Sequence, residues 1–165
     1  MKPTTFFGKL PILEVGGKPI SQSAAISRYL ANKFGYAGKT DEDKALADAF
    51  ADQFKDFIQI IRPYFSAIRT GKPQEDIDAA MKDIVLPAYE EFFNLITEHL
   101  KKSSSGFLLD CGLTYPDLTL AELTGWAQQW NAIDPKFTEV LEHQKKVHSI
   151  PQIKKWIEKR PVSEY

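Results

Sequence analysis

Lys9, Leu10-Pro11 and Gln22-Ser23 are the residues whose types and spacing could do chemistry in this chain. A lysine stands beside an X-Pro bond that opens the apolar run Ile12-Leu13-Glu14-Val15. An amide and a hydroxyl follow at the head of a second, helix-periodic segment, Ser23-Ala24-Ala25-Ile26-Ser27-Arg28-Tyr29-Leu30. A helix N-terminus with a free Ser hydroxyl is a carboxylate site, because unpaired N–H groups and the helix dipole both favour negative charge. An X-Pro bond at the start of a strand can be cis, which would turn the backbone N–H and C=O of Leu10 toward a ligand. An extended ligand with two carboxylates and a peptide backbone suits such a surface.

The elements that position these residues are legible from pattern. Residues 10–20 predict a β-hairpin with Gly16-Gly17 as a two-residue turn and Lys18-Pro19-Ile20 as the return strand. Pro19 lacks an N–H and fits an edge strand. A helix is predicted from Ser23 to Phe34, with hydroxyls at Ser21 and Ser23 to cap it and Gly35 to end it. From residue 41 the texture is all-helical. Thr40-x-x-Asp43 is a capping box, opening a long helix with the apolar face Leu46, Phe50, Phe54, Phe57/Ile58, Ile61, Phe65 and Ile68. Thr70-Gly71-Lys72-Pro73 breaks it. A second long helix is predicted over Gln74–Lys101, kinked at Pro87. Thr114-Tyr115-Pro116-Asp117 is another capping box, and two shorter helices, 136–148 and 151–159, follow. The near-continuous apolar strand Ile12–Val15 reads as buried on both faces, so a further strand is expected beside it.

Composition narrows the function classes. The chain has 165 residues, 21 Lys/Arg and 22 Asp/Glu, a net charge of −1, which argues against a nucleic-acid binder. Residues 1–40 carry +5, whereas residues 41–165 carry −6. The single cysteine, Cys111, cannot form an internal disulfide, and no stretch reaches the roughly 18 apolar residues of a membrane helix. Lys9, Pro11 and Glu14 interrupt any signal-peptide core. The expectation is a cytoplasmic protein without membrane or nucleic-acid partners. His99, His143 and His148 have no metal-ligand spacing, and Trp126, Trp130 and Trp156 read as core.

The stretch Leu10–Val15 followed by Gln22-Ser23-x-Ala25-Ile26-x-Arg28-Tyr29-Leu30 resembles glutathione transferases, most closely the sigma class that includes nematode enzymes and the haematopoietic prostaglandin D synthase type. The resemblance continues through Pro87, the Thr114-x-x-Asp117 box and the terminal Ile150-Pro151 and Arg160-Pro161. It implies an α+β fold: the C-terminal half of a thioredoxin-like glutathione-transferase N-terminal domain (1–38), then an all-α glutathione-transferase C-terminal helical bundle (39–165). It implies glutathione as co-substrate, a hydrophobic electrophile as second substrate and a homodimer. Lys9 would lie beside the glutathione backbone, and Lys2 near the glycyl carboxylate. The backbone of Leu10, before a cis Pro11, would pair with the cysteinyl moiety. Gln22 and Ser23 would hold the γ-glutamyl α-carboxylate, and Asp56 would reach the γ-glutamyl amine across the dimer interface. No metal ligand is implied.

In the family a tyrosine on the first strand activates the glutathione sulfur by favouring its thiolate. The expectation is that this chain begins after that strand, a segment of roughly 30 or more residues, so that no catalytic residue is assigned and activity as written is in question. Two functions follow. One is a transferase, truncated in this sequence, whose full form conjugates glutathione to electrophiles and whose site could isomerise a prostaglandin endoperoxide. The other is a non-catalytic binding or structural relative. Taken singly, Ser23 is an ordinary helix cap, and Lys2, Lys9 and Asp56 are ordinary solvated charges. Phe57, Ile58 and Ile61 are open between core packing and lining a substrate pocket.

Overall fold

The structure, a computed structural model, describes residues 7–161. Gly16 and Gly17 both take positive φ, 55° and 76°, which a two-residue turn between right-twisted strands requires. The turn joins strands β1 (Ile12–Val15) and β2 (Lys18–Ser21), antiparallel with Ile12 opposite Ser21 and Val15 opposite Lys18. Among the described residues no third strand pairs with β1. Helix α1 (Ser23–Phe34) follows at once and ends on Gly35, whose left-handed backbone (φ 80°) returns its N–H to the carbonyl of Ala31.

A short linker leads to the bundle. Gly38 within it has φ 112°, and a Cβ there would come within 2.5 Å of the Asp43 Cβ. Helix α2 (Asp41–Arg69) opens on the expected capping box. Thr40 Oγ1 accepts from the Asp43 N–H, and Asp43 Oδ2 accepts from the Thr40 and Lys39 N–H groups. Those two backbone donors hold the Asp43 carboxyl below its ordinary range. The helix runs unbroken through Pro63, a residue the sequence reading passed over. Its buried face is Phe54, Phe57, Ile61 and Tyr64. Leu46, expected on that face, is 54 % exposed, and so is most of Ile60.

The second long helix differs from expectation in its middle. It consists of α3 (Gln74–Ala80), a π turn over Met81–Val85, and α4 (Leu86–Lys102). Pro87 has no N–H to give to the carbonyl four residues back. The irregularity sits one turn before it, where the Leu86 N–H reaches back to the Met81 carbonyl, the wider pairing of a π turn. Beyond it Tyr89, Phe92, Phe93 and Ile96 enter the core. Phe92 stacks on Phe57 with centroids 4.3 Å apart, and the buried Tyr89 hydroxyl donates to the Leu123 carbonyl at 3.2 Å.

Helices α5 (Tyr115–Gln129), α6 (Thr138–His148) and α7 (Pro151–Ile157) complete the bundle. Asp117, fully buried, is its polar keystone. Its carboxylate accepts from the Leu108 N–H at 2.8 Å, the Thr114 N–H at 2.7 Å, the Thr114 hydroxyl at 2.8 Å and the His143 Nε2 at 2.8 Å. One side chain thus joins the 103–113 loop, the start of α5 and α6. Trp126 and Trp130 pack against Phe65. Trp156 does not join them: on the short α7 it is 62 % exposed, which corrects its placement in the core.

Candidate glutathione site

The register of the hairpin decides which predicted residues meet. Because Ile12 faces Ser21, Leu10-Pro11 and Gln22-Ser23 emerge at the same open end. Lys9, Leu10 and Pro11 are exposed there, and the Leu10–Pro11 bond is cis. Lys2 lies outside the described residues. Gln22 and Ser23 are exposed at the head of α1, and the Gln22 carbonyl accepts the Ile26 N–H at 3.0 Å to open the helix.

Two features of this end go beyond the sequence reading. The cap position is Gln22, not a serine, and no side chain caps α1; the Ser21 hydroxyl is buried and has no hydrogen-bond partner among the described residues. Gln22 also holds φ 74°, ψ 119°, a backbone region that costs a side-chain-bearing residue of the order of 1–3 kcal/mol and concentrates at ligand sites. An uncapped helix start with its amides free, next to an amide side chain held at positive φ, is an arrangement for a carboxylate.

Behind this end lies an electrostatic joint that sequence reasoning missed. Asp48, Asp52 and Asp56 recur every four residues along α2, one above the other on a single helix face. Arg28 of α1 places its Nε 2.9 Å from Asp48 and donates from Nη2 to Asp52 at 3.1 Å. Asp48, the strongest influence, raises the guanidinium's pKa further. The Tyr115 hydroxyl donates to the same Asp48 oxygen at 2.6 Å. Burial first, and Asp48 second, push that phenol well above its ordinary pKa, so it stays a donor. Asp56, one turn beyond Asp52, is exposed and has no ion pair among the described residues. The only sequence signal for the joint was the four-residue spacing of the aspartates.

Ile61 is 0 % exposed and packed in the bundle core; Phe57, 2 % exposed, packs there too and also lines the groove between α2 and α4; Ile58 is half-buried against the same core. An open groove of about 520 Å³ does run between α2 and the π turn with α4, lined by Gln53, Ile60, Ile84, Pro87 and Leu95. Cys111 is half-buried, and burial together with Asp43 raises its thiol pKa, the opposite of an activated nucleophile.

Residues 1–32 match the glutathione S-transferase N-terminal domain and residues 55–160 the glutathione S-transferase C-terminal domain. Probable glutathione S-transferase 9 of Caenorhabditis elegans is 44 % identical over 164 residues, covering 99 % of this chain and 79 % of the relative. Among solved structures, the monomeric Na-GST-3 of Necator americanus has a TM-score of 0.91 at 44 % identity, over 99 % of this chain and 80 % of that one. A Nu-class enzyme of Haemonchus contortus has 0.89 at 46 %, over 99 % and 79 %. Prostaglandin synthase D of Nilaparvata lugens has 0.83 at 32 %, over 98 % and 79 %. With the hairpin–helix unit and helical bundle in place, the chain belongs to the glutathione S-transferase family, whose co-substrate is glutathione.

Proposed function

We propose that this chain carries the glutathione-binding face of a sigma-like, cytoplasmic transferase that in its full-length form conjugates reduced glutathione to hydrophobic electrophiles. The observation that carries the reading is Gln22 at φ 74° before an uncapped α1. In this reading Gln22 and Ser23 receive the γ-glutamyl α-carboxylate at the helix start. The backbone of the exposed Leu10 pairs with the cysteinyl unit, while Lys9 and Lys2 flank the backbone and the glycyl carboxylate. Asp56 stays unneutralised while Arg28 takes Asp48 and Asp52, which leaves it available to the γ-glutamyl amine of a ligand on a second copy.

That second copy docks along the groove between α2 and α4, where Ile60 and Leu95 are 55 % and 43 % exposed. Residues 1–38 then act as the ligand-binding unit and 39–165 as the bundle. The likeness to the Nilaparvata lugens prostaglandin synthase supports endoperoxide isomerisation as a further reaction of the same site.

The chemistry joins the glutathione sulfur to an electrophilic carbon as the leaving group departs, and it needs the thiolate. No tyrosine stands before Tyr29 in the sequence, and Tyr29 is half-buried on α1. In a second reading this chain binds glutathione without activating it. Calorimetric titration with reduced glutathione, beside turnover of a chlorinated aromatic acceptor, tests both. Weak binding that drops about tenfold in Ser23→Ala, with negligible turnover, is expected. Robust turnover refutes the non-catalytic reading, and absence of binding refutes the site.

A further inference from the structure

Tyr115 begins α5, yet its bonds run toward the glutathione side of the molecule. Its hydroxyl donates to Asp48 on α2 at 2.6 Å, and its backbone N–H donates to the Tyr36 carbonyl in the linker at 2.9 Å. The Asp48 oxygen that receives the hydroxyl also lies 2.9 Å from Arg28 Nε on α1. Among the described residues, the pairs of Arg28 with Asp48 and Asp52 are the only ion pairs between the hairpin–helix unit and the bundle.

The apolar part of the same joint is thin. Ala31, Ala37, Ala47 and the Tyr115 ring form a small cluster separate from the main core. Alanine contacts set how closely helices approach but offer no interlocking side chains to fix their rotation. The phenol's hydrogen bond to Asp48, the ion contact of Arg28 with that same oxygen and the Arg28 Nη2 hydrogen bond to Asp52 supply that restraint. α1 is a single rigid element with Ser23 at its head and Arg28 about 8 Å along its axis. Whatever fixes Arg28 therefore fixes the direction of the α1 amides and of the Gln22 backbone.

We propose that Tyr115, Asp48 and Arg28 are positioning residues for the glutathione site, setting the orientation of α1 from the bundle side. The proposal rests on the glutathione reading given above. Tyr115 touches no ligand in it; it acts through Asp48 and Arg28. Because a carboxylate-binding helix start works by aiming its N–H groups, a small rotation of α1 weakens glutathione binding without unfolding the bundle.

The test uses the whole 165-residue chain and reduced glutathione as the probe. Wild type, Tyr115→Phe, Asp48→Asn and the double variant are titrated by calorimetry, and urea midpoints are measured on the same samples. Tyr115→Phe keeps the ring and its packing. Its glutathione dissociation constant is expected to rise about three- to tenfold at unchanged stoichiometry, with the urea midpoint held near wild type. The double variant is expected to lose no more than the weaker single variant, since both cut one chain of bonds. Asp48→Glu, which keeps an acceptor, is expected to recover part of the affinity. Affinity within twofold of wild type in Tyr115→Phe, or a loss that only tracks the fraction of unfolded protein, overturns the proposal. Failure of the wild-type chain itself to bind glutathione overturns the underlying reading before any substitution is compared, and the positioning role with it.

Discussion

Replacing Asp117 with asparagine should cost this protein about 3–5 kcal/mol, although it changes a single heavy atom. The carboxylate is fully buried and accepts four donors: Leu108 N–H and His143 Nε2 on one oxygen, Thr114 N–H and hydroxyl on the other. In the amide one oxygen becomes a donor. If that is the Thr114 side, the hydroxyl can rotate to accept, but the backbone N–H then faces another donor. A buried unsatisfied donor costs about 1–3 kcal/mol. The two bonds on the remaining oxygen lose their charge assistance, about 1 kcal/mol each. The sum is a large share of the roughly 5–15 kcal/mol total stability of a typical domain. Urea unfolding followed by tryptophan fluorescence reads it. With a slope of about 2 kcal/mol per molar, the midpoint should fall by about 1.5–2.5 M. Asp110→Asn is the internal control, since Asp110 also accepts two bonds from Ser104 but lies at the surface. A shift below about 0.5 M for Asp117→Asn, or one equal to the control, would show that burial does not set the strength of this cap.

Gln22→Gly removes the penalty of positive φ, so it should stabilise the fold by about 1 kcal/mol while weakening glutathione binding; urea midpoints and calorimetry separate the two effects. Burial holds His148 below its ordinary pKa of 6.5. The unfolded chain therefore takes up the proton first, and stability should fall as pH drops through 6.5 toward the lower folded value. Thermal midpoints from about pH 7.5 to about pH 5.5 should show that slope, flattened in His148→Gln.

What the sequence made legible was local. The Gly16-Gly17 turn, the Thr40 and Thr114 boxes and the Gly71 break depend on neighbouring residues, and they stand where pattern put them. Residue type and spacing singled out Leu10, Pro11, Gln22 and Ser23, the resemblance gave them roles, and the hairpin register brings them to one end. The rest depends on partners far along the chain. Nothing near Arg28 points to Asp48, and nothing near Tyr115 points back 67 residues to the same oxygen. Amphipathic spacing assigned Leu46 to the interior and residue type put Trp156 there, because neither periodicity nor apolarity says whether any element covers a helix face. The π turn was hidden as well. Pro87 predicts a disturbance, but whether it becomes a bend or a wider turn depends on how Phe92 and Phe93 must meet α2 and α6.

Gly38 has a bearing on modularity. Its Cα packs so closely under the first turn of α2 that any side chain would collide with Asp43. The hairpin–helix unit and the bundle are therefore joined at a fitted corner and not by a tether. Recombination between relatives should succeed when crossovers leave this corner intact, and fail when a junction is spliced or lengthened there. The two halves can diverge in sequence independently, but they inherit their mutual angle from a residue that has no side chain.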